Sequence, residues 1–512
     1  MIIDSPKLKI MTAQTLYYAL VISIIFILSC TRTLTIKDPE KKDIFYHQGT
    51  SNRMAAEWEP ALGTLIAWPL SIPYKLVVAL ASDHKLFTLV ESETSKNEAT
   101  KWYLKWGIDL EKVTFITAPQ GIDVSWVRDW GPHAIFTPES NMKLADGKYI
   151  FATPISNQSC TDSLYFIYMD GNKIIKTETD DNATVYVGQQ LNFPVVDLPF
   201  ISTGGNVMTD GLGSAFSSCV LTNENRYYGI PDDKFFLLNK SLLGFQQYHI
   251  LSNFEQRGIQ HVDCLMKLLD EERMLVLQPP SDHDLFPLYE NIVNNELSKL
   301  KNPYGRPYKI ERMNTYRFDN EKLAAYSNSL ILNKIIYVPL YNIREDSLAL
   351  KRWRALMPGY AVKGFNYVLK DEPAITQQVL NRYKNIGWTD GDALHCRTRA
   401  IWNPEMLYIT VKVLGDTLDQ KDSHKIYATV IDYSGKGLIN DKVNVYWKEK
   451  GHIDWKITTM KNAGSRQHFE ADIPKLKSGT IMEYFIEAAS KSGQKERRPS
   501  TAPSGTYTSI FK

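Results

Sequence analysis

The chain has 512 residues, 44% hydrophobic and 23% charged, a globular composition that excludes wholesale disorder and collagen-like structure and leaves room for one large or two to three ordinary domains. Its 59 Lys and Arg against 57 Asp and Glu give a formal charge of +2, without the surplus of cations that a phosphate backbone demands, so no nucleic-acid partner is expected. Five cysteines, an odd number without CxxC spacing, point to neither a disulfide framework nor a structural zinc cluster.

Residues 1–30 hold Lys7 and Lys9, then an uncharged apolar run from Leu16 to Leu28, and end in Ile27-Leu28-Ser29-Cys30. That run is shorter than the roughly 20 residues needed to cross a hydrocarbon core. With a small residue before Cys30 it reads as a signal peptide and resembles the lipobox of bacterial lipoproteins, Cys30 becoming the lipidated first residue. The plain alternative is a buried anchor helix with an incidental cysteine. On either reading the mature protein is exported, and on the first it is anchored to a membrane by lipid. Residues 31–50, polar and rich in Lys and Asp, form a tether.

From Ser51 short apolar runs alternate with helical patterns, the mark of an α/β domain. Leu86 to Val90 reads as a strand, Ser95 to Trp106 as a helix opened by a capping box of Ser95 with Glu98 and closed by Gly107, and Val113 to Thr117 as the next strand. The segment after Thr117 then lies at a strand end, where catalytic groups are commonly carried. Further strands are expected at Ile331-Leu332, at Ile335 to Leu340, and around Val195 and Leu275, and spacing alone establishes no repeat. After about Glu405 the pattern changes. Tyr408 to Leu414, Ile426 to Ile431, Val443 to Trp447, Trp455 to Met460, His468 to Ile473, Met482 to Ala488 and Tyr507 to Phe511 all read as strands with no helical period between them. The α/β region is therefore placed at 51–405 and an all-β, immunoglobulin-like sandwich at 406–512, on strand number and alternation and without the paired cysteines of antibody domains.

Four segments set unusual polar groups in apolar surroundings. Ser125 to Pro132 gathers Trp126, Arg128, Asp129 and Trp130; by itself this is equally a loop ion pair flanked by core tryptophans. Thr203 to Gly211 is glycine-rich but lacks the Gly-Lys-Ser/Thr ending of a phosphate loop and the GxGxxG spacing, so close backbone packing beside a pocket is the better reading. In Gln260 to Asp263, followed by Cys264 and Lys267, an extended backbone turns His261 and Asp263 to one face. That pair suits acid/base work, a satisfied core histidine, or a metal, for which no third and fourth ligand stand at convincing spacing. In Gly391 to Thr398, His395 and Arg397 flank Cys396, a setting that lowers a thiol pKa from about 8.5. Without such a shift only about 3% of the thiol is ionised at pH 7, so an electropositive setting or a bound cation must activate it. Cys160, Cys219 and Cys264 have less telling neighbours and read as inert.

Taken together, Ala56-Glu-Trp-Glu-Pro60 with Ala67-Trp-Pro69, Trp126-Val-Arg-Asp129, Gly204-Gly-Asn206, His261-Val-Asp263, Tyr326 to Leu332 and Asp392-Ala-Leu-His-Cys396 resemble, in order, the agmatine deiminase and bacterial peptidylarginine deiminase family. The wording of the last two segments is most similar to the Porphyromonas type. The resemblance implies a pentein fold, a five-fold α/β propeller with a central active site, followed by the immunoglobulin-like domain. It also implies Cys396 as nucleophile, His261 as general acid/base, Asp129 and Asp263 as the carboxylates holding a guanidinium, Asn328 as the group orienting the reacting carbon, and Trp126 lining the side-chain channel.

An arginine guanidinium is planar and permanently cationic, and its fork of five N–H donors lets two carboxylates grip it from two edges. The two carboxylates of an empty pocket are expected to raise one another's pKa. The chemistry calls for no metal or organic cofactor, and no acidic loop of EF-hand spacing suggests calcium. The expected partners are arginine-containing peptides or proteins, because an exported enzyme meets these more readily than a cytosolic polyamine precursor. One departure stands out: Porphyromonas-type enzymes hold a substrate's terminal carboxylate with an arginine pair after the first catalytic aspartate, and Phe151 to Asn157 contains no arginine. The alternatives are an agmatine deiminase leading to putrescine, and a catalytically silent surface-binding lipoprotein.

Overall fold

A computed structural model describes residues 51–118, 124–150, 153–154, 160, 166–167, 178–255, 259–374, 387–464 and 467–512. Within them the chain is α/β with mixed sheets. Five sheets repeat one order: a short strand runs antiparallel to a central strand, a helical stretch follows, and the next strand returns parallel to the central one. Their central strands are Ala61–Ala67, Met142–Lys148, Ser214–Ser218, Arg273–Gln278 and Ile335–Leu340. The parallel partners are Lys85–Val90, Val195–Ile201, Gln247–Leu251, Lys309–Asn314 and Ala361–Asn366. The short antiparallel strands are Arg399–Trp402, His133–Phe136, Met208–Thr209, Met266–Leu268 and Leu330–Leu332. In the first sheet the short strand comes from the far end of this region, so Arg399–Trp402 lies against Ala61–Ala67 and one sheet holds both of its ends.

The expected strands at 86–90, 113–117, 331–332 and 335–340 and around Val195 and Leu275 are present. The helix between the first two begins earlier than expected. It spans Glu93–Lys105, and Ser92, in place of Ser95, caps it by accepting the Ser95 N–H. Glu98 therefore closes no capping box and receives the Trp68 indole N–H at 3.5 Å. Gly107 ends the helix in the left-handed region at φ 73°.

Beyond Trp402 the described chain holds strands and no α-helix. Leu407–Lys412, Ser423–Asp432, His468–Pro474 and Lys461–Asn462 form one sheet; Thr417–Leu418, Tyr507–Phe511, Ile481–Ser490, Leu438–Glu449, Lys456–Thr459 and Lys495–Arg498 form a second. Alternation in Tyr507–Phe511 turns Tyr507, Ser509 and Phe511 inward. Side chains of both sheets, among them Ile409, Val430, Val445 and Ile486, share one hydrophobic cluster.

This β region is fastened to the α/β region by Arg53. Its guanidinium donates to both oxygens of the buried Glu59 carboxylate at 2.8 Å and to the Tyr433 hydroxyl at 3.1 Å. The same group lies 3.7 Å from the centre of the Tyr408 ring. Elsewhere, Cys160 and Cys219 form a disulfide across a separation of 59 residues, so the expectation of two inert cysteines and no disulfide pairing is corrected. An odd cysteine count carries no sign of one long-range pair. Residues 1–50, expected to be a signal peptide and tether, and most of Phe151 to Asn157 lie outside the described residues.

Because breaking a buried ion pair leaves an uncompensated charge, replacing Arg53 by Met should lower stability by about 3 kcal/mol. Urea denaturation of the full chain reads this directly, and a loss below about 0.5 kcal/mol, the range of ordinary surface substitutions, would contradict the fastening role.

Candidate active site

Each of the five sheets receives its short strand from a segment that carries a polar group inward. Asp129 precedes His133–Phe136, Gly205 and Asn206 precede Met208–Thr209, and His261 and Asp263 precede Met266–Leu268. Asn328 precedes Leu330–Leu332, and Cys396 precedes Arg399–Trp402. Repetition of one local geometry thus delivers residues far apart in sequence to one place.

Gly205 marks where the first group meets. A Cβ built on it would lie 2.6 Å from Asp129 Oδ1, 2.9 Å from His261 Nδ1 and 3.3 Å from Asp263 Oδ2. Only a glycine leaves that space open, and its N–H donates to Asp129 Oδ1 at 3.0 Å. This is the close backbone packing expected of the glycine-rich segment. His261 Nδ1 stands 3.5 Å from Asp129 Oδ1. Burial opposes a charge on His261, but Asp129, Asp263 and Glu224 outweigh it and raise the imidazole to about 9. The extended backbone expected through Asp263 is corrected: His261 is extended, whereas Val262–Leu265 is a single helical turn. Side-chain convergence survives because Asn206 Oδ1 accepts the Val262 N–H at 3.0 Å and fixes the start of that turn. Asp129 likewise lies in a short helix, Val127–Trp130, preceded by half-buried Trp126.

Cys396 is fully buried. Asn328 Nδ2 donates to its sulfur at 3.2 Å, and Asn328 Oδ1 accepts the His395 and Cys396 N–H groups at 2.9 and 3.3 Å. The Arg128 N–H holds the Cys396 carbonyl at 2.9 Å. Its sulfur lies 3.8 Å from Asp263 Oδ2. A hydrogen bond with Cys264 pulls the Cys396 thiol pKa down, yet burial and the carboxylates of Asp263, Asp392 and Asp129 prevail and raise it. The expected lowering by His395 and Arg397 is therefore corrected. Arg397 turns away into a fork with Asp392 at 2.9 and 2.7 Å, and His395 is committed elsewhere. Cys264 is also no bystander, since its sulfur lies 3.7 Å from Asn328 Nδ2. Asp263, Cys264 and Cys396 set their donor atoms within 4.8 Å of one another, the group among the described residues that could hold a metal.

His395 joins two carboxylates. Its Nδ1 is 2.7 Å from Asp263 Oδ2 and its Nε2 is 2.9 Å from Glu57 Oε2. A neutral imidazole has one N–H, so two such contacts require the imidazolium or a proton on one carboxyl. Glu57 is further bound by Lys267 Nζ at 3.1 Å and by the Ile331 N–H at 2.9 Å. Burial would raise the Asp263 carboxyl, but His395, His261 and Lys267 more than offset it and hold the pKa below the usual carboxylate range. The mutual raising expected of the paired aspartates is thus corrected at Asp263.

Sequence reasoning singled out neither Glu57 nor Glu224 for a role, and saw in His395 only a neighbour of Cys396 rather than the link between Asp263 and Glu57. Glu57 and Glu59 stand two apart and face inward to different partners, Lys267 and Arg53. Glu224 sits on the helix Val220–Tyr227, whose Thr222, Asn223, Glu224 and Asn225 are all buried. A polar helical stretch ordinarily faces water, so nothing in its pattern marks it.

A sequence profile of the family described as Porphyromonas-type peptidyl-arginine deiminase matches residues 53–368, more than half of the chain, and the chain belongs to that family. A provisionally named agmatine deiminase of Yersinia pseudotuberculosis is 22% identical over 342 residues, covering 61% of this chain and 89% of that protein. A structure provisionally named arginine deiminase, from Porphyromonas gingivalis, aligns with TM-score 0.52 at 17% identity over 69% of this chain and 99% of its own. The agmatine deiminase of Enterococcus faecalis aligns with TM-score 0.51 at 17% identity over 70% and 98%. These solved deiminases have the pentein fold, and the α/β region with its mixed sheets aligns with them.

A proton on His261 is favoured by the folded state, so its contribution to stability is complete below the unfolded imidazole pKa near 6.5 and is lost as pH rises through about 9. Unfolding free energies measured from pH 6 to 10 should fall across that window. The same slope in a His261→Asn variant would assign it to another group.

Proposed function

We propose that the chain hydrolyses guanidino groups, converting peptidyl-arginine to peptidyl-citrulline and ammonia through a covalent adduct on Cys396. The observation that carries this reading is the convergence of Asp129, His261 and Asp263 on the space beside Gly205, with the Cys396 sulfur 3.8 Å from Asp263. A guanidinium placed there meets carboxylates on two edges, and each charge-assisted bond contributes about 1.5–3 kcal/mol. The cation also supplies what the raised thiol lacks, a positive charge beside the sulfur that favours thiolate. Asn328 Nδ2 then steadies the sulfur, and Trp126 lines the channel and favours a cation over neutral side chains.

The sulfur adds to the central carbon, and the C–N bond to one terminal nitrogen breaks. His261, protonated at neutral pH, donates to that nitrogen, which leaves as ammonia. The resulting thiouronium is attacked by water, whose proton returns to His261; the carbon–sulfur bond breaks and the thiol is regenerated with a neutral ureido product. One water is consumed and one ammonia released per turnover. Agmatine is the second reading, favoured by the names of the relatives.

The architecture proposed with this function is a five-fold propeller over residues 51–405 and an immunoglobulin-like domain over 406–512, supported by the five repeated sheets and the shared cluster of the two β-sheets. Experimental coordinates in which the five sheets share no common axis would refute the first. A lipid on Cys30 is proposed for the exported form, on the apolar run that precedes it.

Replacing Cys396 by Ala should reduce ammonia release from arginine peptides at least 1,000-fold, and Asp263→Asn should lower kcat/KM about 100-fold, the equivalent of one lost charge-assisted bond. Mass spectrometry of the peptides with each variant reads both, and normal citrulline formation by Cys396→Ala would refute the nucleophile. Fractionation of expressing cells should find the full chain with membranes and a Cys30→Ala form released from them; equal membrane retention would rule out the lipid anchor.

A further inference from the structure

Cys264 has no part in the reaction described above, yet its sulfur is turned toward it. The residue lies in the core beside Val262 and Leu265, where a cysteine ordinarily behaves as a small hydrophobe. Here Sγ lies 3.4 Å from the Gly391 carbonyl, 3.6 Å from Asp263 Oδ1 and 3.7 Å from Asn328 Nδ2. Asn328 Nδ2 also reaches the Cys396 sulfur at 3.2 Å, so one amide serves both thiols. Both are free and buried. Asp263 is the third member of the group. Its Oδ2 is taken by His395 at 2.7 Å, whereas among the described residues Oδ1 has no stronger donor than the Cys264 thiol. A buried carboxylate oxygen served by so weak a donor is short of a partner.

We propose that Asp263, Cys264 and Cys396 form a binding site for a thiophilic divalent cation of the zinc class, which holds the protein in a reversible inactive state. The site stands on geometry; that occupying it stops a reaction rests on the deiminase reading. The three donor atoms lie within 4.8 Å of one another. A tetrahedral zinc, bonded at about 2.3 Å to sulfur and about 2.1 Å to oxygen, sets neighbouring ligands roughly 3.6 to 3.8 Å apart. The sulfur–carboxylate separations of 3.6 and 3.8 Å already match. On binding, each thiol releases a proton to water, the ion joins both sulfurs and one oxygen, and a fourth position is left for water. Thiolate ligands select zinc over calcium and magnesium. His395 braces the ligand carboxylate through its other oxygen, the support that metal-bound carboxylates ordinarily receive. A way in exists: Cys264 lines a cavity of about 200 Å³ with Glu255, Asp390 and Glu321, without Lys, Arg or His, and Glu321 is exposed. The ion is no cofactor. It occupies the sulfur electron pair that attack on a guanidinium needs, together with the carboxylate that would grip it.

The test uses the purified full chain, freed of metal by a chelator and kept reduced by a phosphine. Cobalt(II) should give the sulfur-to-cobalt charge-transfer band of a tetrahedral thiolate site, saturating at one ion per chain, and zinc should bleach it. Loss of a group merely supporting a ligand weakens metal binding about 10- to 100-fold, so Cys264→Ser, which removes a ligand, should weaken cobalt at least about 100-fold. Cys264→Ala serves as the second variant where serine disturbs the core. Zinc should also stop ammonia release from arginine peptides, and a chelator should restore it. Half-inhibition of each Cys264 variant, measured against its own metal-free rate, should need at least about 100-fold more zinc. No charge-transfer band in wild type, or cobalt affinity and zinc sensitivity unchanged in both variants, would overturn the site. If the metal-free chain releases no ammonia from any guanidino compound while the cobalt band appears and is lost with Cys264, the site stands and the deiminase reading fails.

Discussion

Everything at the centre of this fold depends on keeping carboxylates charged where there is no water to solvate them. Asp263 is completely buried, and it stays ionised because His395 lies between it and Glu57 at 2.7 and 2.9 Å while Lys267 anchors Glu57 from behind. His395 between the two carboxylates and Lys267 beyond Glu57 together offset the burial of both negative groups. The backbone cooperates: Ile331 donates to Glu57, Gly205 to Asp129 and Val262 to Asn206. With its charges balanced below, the upper edge of the site is left acidic, with a thiol that burial and carboxylates hold protonated. Such a centre carries the negative charge to receive a cation.

The segments around Asp129, Asn206 and Cys396 were legible in the sequence because each couples unusual polar residues to glycine, proline or tryptophan, His261 and Asp263 because of their two-residue spacing, and Asn328 only through the family resemblance. Asp129, Gly205, Asn206, His261, Asp263, Asn328 and Cys396 are brought together. What sequence could not reveal follows from length and burial. A short strand of two residues, such as Met208–Thr209, has no period, so the fivefold repetition of sheets is invisible until pairing is seen. His261 and Asp263 read as extended because two-residue spacing suits a strand, yet tertiary hydrogen bonds wind the backbone into a turn there. Arg397 beside Cys396 looked like an activator, but neighbours in sequence need not be neighbours in space, and Asp392 takes it.

The β region illustrates the reverse case. Its strands announce themselves by alternation, and the seven expected runs fall on or within a residue or two of observed strands, apart from short ones at Thr417–Leu418, Lys461–Asn462 and Lys495–Arg498 that were missed. Its attachment was not legible. Arg53, Arg306 and Arg498 reach across to Tyr433, Leu414 and Glu271, contacts between residues more than a hundred positions apart that no local pattern encodes.

The pairing of Arg399–Trp402 with Ala61–Ala67 also sets an order of events as the polypeptide emerges from its N-terminal end. Asp129, Asn206, His261, Asp263 and Asn328 are all synthesised before Cys396, and the strand that seats the sulfur is the last of its region to appear. Contacts of such long sequence separation form late. A nascent or truncated chain therefore carries the acidic half of the centre without the Cys396 sulfur, which joins its partners only when the ends of the region have met.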